Sequence, residues 1–98
     1  MYAIIFDFDT ETLQQTYPNT NSRNAYTDVR TFLTQRGFEW REGGAYFGDD
    51  TIDAARCITV VQRLAKRYPW FTPSVSDLRM LRIEENNDLK AALAEEED

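Results

Sequence analysis

One segment near the start constrains the fold more than any other: Tyr2-Ala3-Ile4-Ile5-Phe6-Asp7-Phe8. Its β-branched and aromatic content marks it as a strand. Side chains alternate across a strand, so Tyr2, Ile4, Phe6 and Phe8 share one side and Ala3, Ile5 and Asp7 the other. Both sides are largely apolar. Such a strand belongs in the middle of a sheet and needs cover on both faces.

The remaining elements supply its neighbours. Residues 10–21 are polar, carry Tyr17-Pro18-Asn19, and read as a mobile loop. Ser22 can cap a helix to about Arg36, with Ala25, Tyr26, Val29, Phe32, Leu33 and Arg36 at buried-face spacing. Gly37 is its natural stop. Phe38-Glu39-Trp40-Arg41 and Ala45-Tyr46-Phe47 flank Glu42-Gly43-Gly44, a hairpin pattern. Asp50 or Thr51 can cap a second helix through about Tyr68. Its predicted stripe is Ala54, Ile58, Val61, Leu64, Ala65 and Tyr68, with Arg56, Arg63 and Arg67 outside and Pro69 ending it. A turn at Pro73-Ser74 precedes a last strand, 78–83, which Asn86-Asn87-Asp88 breaks. Residues 89–95 read as a short helix.

The order β-α-β-β-α-β is the ferredoxin-like pattern, an α+β fold. It predicts a four-stranded antiparallel sheet with two helices on one face. Residues 1–88 are expected to form the single domain, with 89–98 a C-terminal helix and acidic tail. The second sheet face is left open, although the first strand asks for cover there. A second copy is the expected lid, giving a homodimer through the sheet face.

Composition restricts the chemistry. The 98 residues contain no His and one Cys, Cys57. That excludes Ser-His and Cys-His nucleophile pairs, imidazole acid–base pairs and a structural zinc site. Catalysis then rests on carboxylates, Tyr, Lys, Arg, backbone groups or a hard metal ion. A lone Cys fits a reducing cytoplasm, and no signal-peptide pattern or membrane-length apolar run is present.

The net charge of -6 argues at first against a nucleic-acid partner. Resolved along the chain, it is -5 over residues 1–53, +5 over 54–82 and -6 over 83–98. Nine of the 11 basic residues are Arg, the side chain suited to bidentate phosphate contacts. The basic middle leaves room for phosphate binding. The closing Glu95-Glu96-Glu97-Asp98 reads as a frayed, solvated tail.

Two acidic motifs stand out. Asp7-Phe8-Asp9-Thr10-Glu11-Thr12-Leu13 resembles the nucleophile motif of haloacid-dehalogenase-like phosphatases, where the first Asp attacks phosphorus and the second works as acid and base. Gly48-Asp49-Asp50-Thr51-Ile52-Asp53 resembles that family's distal metal motif. That reading makes Asp7 and Asp9 a phosphatase pair, but the family needs a parallel sheet, which a hairpin at 38–47 does not supply. Phe8-Asp9-Thr10-Glu11-Thr12 also resembles the opening motif of proofreading exonucleases.

A third resemblance covers most of the chain. Met1 to Asp7, Ala25-Tyr26-Thr27-Asp28-Val29, Gly37-Phe38, Gly43-Gly44-Ala45-Tyr46, Ser74 to Arg79 and Arg82-Ile83-Glu84 stand in the order of the virulence-associated protein D (VapD) family. The family's hairpin often carries Ser where this chain has Gly44. The resemblance implies a small ferredoxin-like homodimer related to the small CRISPR-associated nucleases. It implies endoribonuclease activity, in some members as the toxin of a toxin–antitoxin pair, with an antitoxin protein as partner. The family's carboxylate at the end of the first strand falls on Asp7, and its acid before the last strand on Asp77. Arg79 and Arg82 fall on its basic last strand.

Chemistry argued without the family points to Asp7 and to the Arg pair of the last strand. RNA cleavage needs an activated 2′-hydroxyl or water and stabilisation of the charge that develops on the phosphate. Without His, Asp7 is the candidate base or Mg²⁺ ligand; Tyr46, able to stack on an RNA base or donate its hydroxyl, is a further catalytic candidate, and Asp77 is one through the family resemblance. Arg79, Arg82, Arg56 and Arg63 are the candidate RNA-binding cations. Arg79 and Arg82 are three apart, so a regular strand points them to opposite sides. The rival to an RNA-cleaving enzyme is a dimeric RNA- or protein-binding module of the same fold that has lost turnover.

Overall fold

The first strand sits where its two apolar sides require. In the computed structural model, which describes residues 1–94, β1 (Tyr2–Phe8) lies inside a four-stranded sheet of order β2-β3-β1-β4. The partners are β2 (Phe38–Glu42), β3 (Ala45–Gly48) and β4 (Val75–Arg82). Every pairing is antiparallel. This is the ferredoxin-like arrangement. It excludes the parallel sheet that a haloacid-dehalogenase-like phosphatase requires, so that reading is corrected here.

Two long helices cover one face: α2 (Asn24–Thr34) and α3 (Ala54–Arg67). Against them the sheet turns Tyr2, Ile4, Phe6, Phe8 and Tyr46, the side that the alternation assigned to the core. Phe6 is the hub. Its ring stacks on Tyr46 at 6.2 Å and meets Phe71 at 5.9 Å and Phe8 at 5.1 Å, edge-on. Each such ring taken from water contributes roughly 1.5–3 kcal/mol.

Several local expectations are corrected. Residues 10–16 are a helix, α1 (Thr10–Thr16), rather than a mobile loop. Asp9 caps it, accepting from Glu11 N at 3.2 Å and Thr12 Oγ1 at 2.8 Å, and Leu13 anchors it in the core. Polarity concealed it: one buried residue in two turns gives no visible period. α2 begins after Ser22 without a side-chain cap, and Tyr26 is exposed rather than buried. α3 is capped by Asp53, which accepts from Arg56 N at 2.7 Å, not by Asp50 or Thr51. Its buried residues are Cys57, Val60 and Leu64, while Ile58 is 50% exposed. The helix is thus rotated by about one residue from the predicted stripe, which leaves Ile58 and Val61 lining an open groove against Leu78 and Met80 of β4. Pro73 and Ser74 belong to a single helical turn, α4 (Phe71–Ser74), from which β4 starts three residues early.

Two glycines set the chain's turns. Gly37 follows α2 with φ +94, and Gly43 in the hairpin has φ +50, both left-handed. The last element among the described residues is α5 (Lys90–Leu93). The four terminal acids, on which the expected tail falls, lie outside the described residues.

Candidate active site

The site begins with the register of β1 on β4. Ile5 pairs with Arg79 and Asp7 with Asp77, and the next pair is Phe8 with Val75. Ser76 is therefore the extra residue of a β-bulge, and its Oγ donates to the Asp7 carbonyl oxygen at 3.2 Å. The bulge has a clear purpose in packing. Without it, Val75 and Asp77 would face the same side. With it, Val75 packs on the core while Asp77 stands beside Asp7 on the helix-free face.

Directly opposite residues in an antiparallel pair sit about 4.5–5.5 Å apart at Cα, and like charges there repel. Arg79 relieves the repulsion. Its Nε–H donates to both oxygens of Asp77, each at 3.1 Å. Asp7, by contrast, is exposed, and no side-chain hydrogen bond or ion pair engages its carboxylate among the described residues. The arrangement offers one free carboxylate, one neutralised carboxylate and one cation in a single exposed cluster.

The cluster sits at one end of an amphipathic sheet face. Its centre is formed by Ala3, Ile5, Ala45, Phe47 and Leu81, which the pairing places on the same side as Asp7. Arg41 lies over the Phe47 ring at 4.8 Å and within 3.7 Å of Glu39. Ala3 is fully buried, Ile5 and Phe47 are half-buried, and Leu81 is 40% exposed. Asn86 and Asp88 border the same face near Arg41, Glu42 and Phe47.

Other candidate residues lie elsewhere. Tyr46 is 1% exposed on the helix side of the sheet, stacked on Phe6. Burial pushes its phenol upward in pKa, while the neighbouring Arg30 guanidinium opposes that shift. A base cannot stack on a ring so covered, so Tyr46 is corrected from a site residue to a core residue. Arg82 points to the opposite side from Arg79, as the strand period requires, and pairs with Glu84 at 3.2 Å. The bulge precedes Arg79 and leaves that separation intact. Arg56 and Arg63 are exposed on α3, across the sheet from Asp7.

The two acidic motifs also separate. Gly48 and Asp49 follow Phe47, which pairs with Ala3 at the start of β1, whereas Asp7 is near its end. Four residues of strand, about 13 Å, divide Asp7 from Ala3. Asp49 accepts from Thr51 N at 2.8 Å and Thr51 Oγ1 at 2.5 Å, bonds that hold its carboxyl below the usual range. Asp9 is spent on the α1 cap. The exonuclease reading loses its first acid in the same way.

Sequence reasoning placed Gly44 in the hairpin and missed its packing role. A Cβ there would lie 1.9 Å from the Phe6 carbonyl oxygen, and Phe6 N–H donates to the Gly44 carbonyl at 3.1 Å. This close approach locks the hairpin against β1 one residue before Asp7. The Gly43-Gly44 pair was visible as a turn, but only the three-dimensional register shows that Gly44 must be bare. A Ser at this position does not fit this backbone.

No model of a known protein family matches the chain. Individual proteins do. The chain is 50% identical over 94 residues to "Endoribonuclease VapD 2" of Riemerella anatipestifer, covering 96% of this chain and 100% of that protein. It is 50% identical over 93 residues to "Endoribonuclease VapD homolog" of Helicobacter pylori, covering 95% and 96%. It is 33% identical over 91 residues to "Endoribonuclease VapD" of Dichelobacter nodosus, covering 93% and 95%.

Proposed function

Because the chain belongs to the virulence-associated protein D (VapD) family, we propose that it is an endoribonuclease working at the helix-free face of its sheet, with Asp7 at the centre. The observation that carries the placement is the free Asp7 carboxylate beside a neutralised Asp77–Arg79 pair. A base needs a carboxylate oxygen open to the proton it takes, and both oxygens of Asp77 are engaged by the Arg79 Nε–H.

In the proposed reaction Asp7 takes the proton of a 2′-hydroxyl or a water. That oxygen attacks phosphorus, and the 5′-oxygen departs with a proton from solvent. Arg79 stands within the same cluster to stabilise the charge developing on the phosphate oxygens. Arg82, on the other side of β4, serves the flanking strand of RNA.

The donor set is compatible with Mg²⁺, which is commonly held by one or two carboxylates with water and phosphate in the remaining positions. Asp7 with Asp77 would hold it, and the ion would supply charge neutralisation at the phosphate. No cluster of three or more acidic or Cys side chains converges among the described residues. The protein side of such a site is therefore sparse.

We extend the proposal to a homodimer through the same face. Support comes from its apolar centre and its rim of both signs, Glu39, Arg41, Asp7, Asp77 and Arg79. A second copy would bring its own Asp7 to the assembly. The reading also takes in a cytoplasmic location, in keeping with the lone free Cys57, and an antitoxin protein as a partner. No helix among the described residues is long and apolar enough to cross a membrane.

The test incubates wild type and Asp7→Asn with structured RNA and with a phosphomonoester, with and without Mg²⁺. RNA cut internally by wild type and spared by Asp7→Asn is the expected result. RNA bound but never cut would make the chain the inactive binding module instead. Equal cutting by Asp7→Asn would remove Asp7 from the mechanism.

A further inference from the structure

The cations of α3 have no part in the Asp7 cluster, yet the helix concentrates them. Arg56, Arg63, Lys66 and Arg67 are all exposed, and no acid occurs between residues 54 and 76. Among the described residues the ion pairs are Glu39–Arg41, Asp77–Arg79 and Glu84–Arg82, so none of these four cations is in one. Arg56 does lie near Asp49. Asp28, on α2, is held by the Tyr17 hydroxyl at 2.6 Å.

Spacings of seven and four residues put Arg56, Arg63 and Arg67 within roughly 40° of one another around the helix. The stripe runs about 16 Å along the axis, from 1.5 Å per residue. It lies on the flank away from Ile58 and Val61, which face β4. The helix thus divides into an apolar flank and a cationic one.

A solvated helix ordinarily carries acids three or four residues from its bases. Here Arg63 has Lys66 and Arg67 at those spacings and no acid, which costs a few tenths of a kcal/mol per pair, and Arg56 alone has an acid so placed, Asp53. Only Lys66 and Arg67 sit in the last turn, where the helix dipole favours them. Arg63 lies before that turn and has no such compensation, so an anionic ligand there would relieve the crowding.

We propose that the Arg56–Arg63–Arg67 stripe is a second RNA-contact surface, gripping phosphates of the strand that flanks the cleaved bond. The proposal rests on the RNA-cleavage reading and adds a determinant of substrate length to it. RNA is favoured over an acidic protein for two reasons. All three stripe residues are Arg, suited to bidentate phosphate contact. The stripe also lacks the apolar centre that a protein interface needs, since exposed Ile58 is on the other flank. Asp7 is on the helix-free face and the stripe is on a helix that covers the opposite face, so an RNA that touches both must follow the surface around the sheet edge. Only a longer RNA can pass around the edge and reach both.

The experiment measures affinity of the Asp7→Asn protein for single-stranded RNA of about 6 and about 24 nucleotides, across salt. The comparison is with Asp7→Asn carrying Arg56→Gln, Arg63→Gln and Arg67→Gln, after melting shows that both are folded. The expected result is at least a tenfold fall in the ratio of long to short affinity. The slope of log K against log salt for the long RNA should shrink by about 0.7 per lost contact. An unchanged ratio and slope, or equal losses for both lengths, overturns the stripe. So does a polyglutamate peptide that binds the stripe while RNA does not. Absence of cleavage by wild type with the length effect intact overturns the enzyme reading and leaves the stripe standing.

Discussion

Asp7 and Asp77 face each other across β1 and β4 on the helix-free side of the sheet, and only Asp77 is neutralised by Arg79. The inequality assigns roles. A paired carboxylate orients and positions; a free one can accept a proton or a cation.

Replacing Arg79 by Gln tests that division. The exposed pair contributes less than about 1 kcal/mol, so the melting temperature should shift little. Cleavage should fall at least tenfold, since one lost charge-assisted contact of about 1.4 kcal/mol has that effect on rate. An unchanged rate would leave Arg79 a structural partner of Asp77 alone.

Gly44→Ser tests the hairpin lock. A Cβ 1.9 Å from the Phe6 carbonyl oxygen forces backbone to move. We expect a loss of roughly 1–3 kcal/mol in urea unfolding, the range for stored backbone strain. Loss of cleavage should accompany it, because β1 shifts beside Asp7. A variant as stable as wild type would mean that the hairpin can yield without cost.

Tyr17 gives a pH signature distant from the site. Burial, with the hydrogen bond to Asp28 second, pushes its phenol from 10.0 to about 12. The folded form holds that proton more tightly than the unfolded chain. Its contribution is therefore complete below pH 10 and is lost as pH rises from about 10 to about 12. Tyr17→Phe should cost about 1 kcal/mol at neutral pH and flatten that alkaline loss. Urea midpoints for both proteins between pH 8 and pH 11.5 check it; parallel curves would contradict it.

The dimer prediction turns on Leu81, which stands on the open face opposite Ala3. Wild type should sediment as a dimer at micromolar concentration, and Leu81→Arg should sediment as a monomer that keeps its circular dichroism. A concentration-independent wild-type monomer would refute the pairing of sheet faces.

Much of this architecture was legible beforehand because β1 is patterned on both sides and because the hairpin glycines and Pro69 punctuate the chain. The alternation in β1 separates Phe6 from Asp7 in the sequence itself. The period of β4 likewise separated Arg79 from Arg82. What stayed hidden depends on non-local facts. α1 shows no period because Leu13 alone is buried. The bulge at Ser76 exists to reconcile Val75 with Phe8 and Asp77 with Asp7, a conflict that appears only when β4 is laid on β1. Tyr46 looked available because aromatic side chains are common at half-open sheets. Its burial follows from which hairpin face turned toward α2.

The most direct test of the account pairs activity with stability in one variant. Asp7→Asn removes a free carboxylate that faces Asp77, so melting should stay the same or rise, with relief of up to about 1 kcal/mol of like-charge repulsion. Single-turnover cleavage of RNA by the same protein should fall at least 100-fold, the lower range for loss of a positioned acid–base group. Cleavage within a few-fold of wild type, in a folded Asp7→Asn protein, would contradict the claim that this carboxylate does the chemistry.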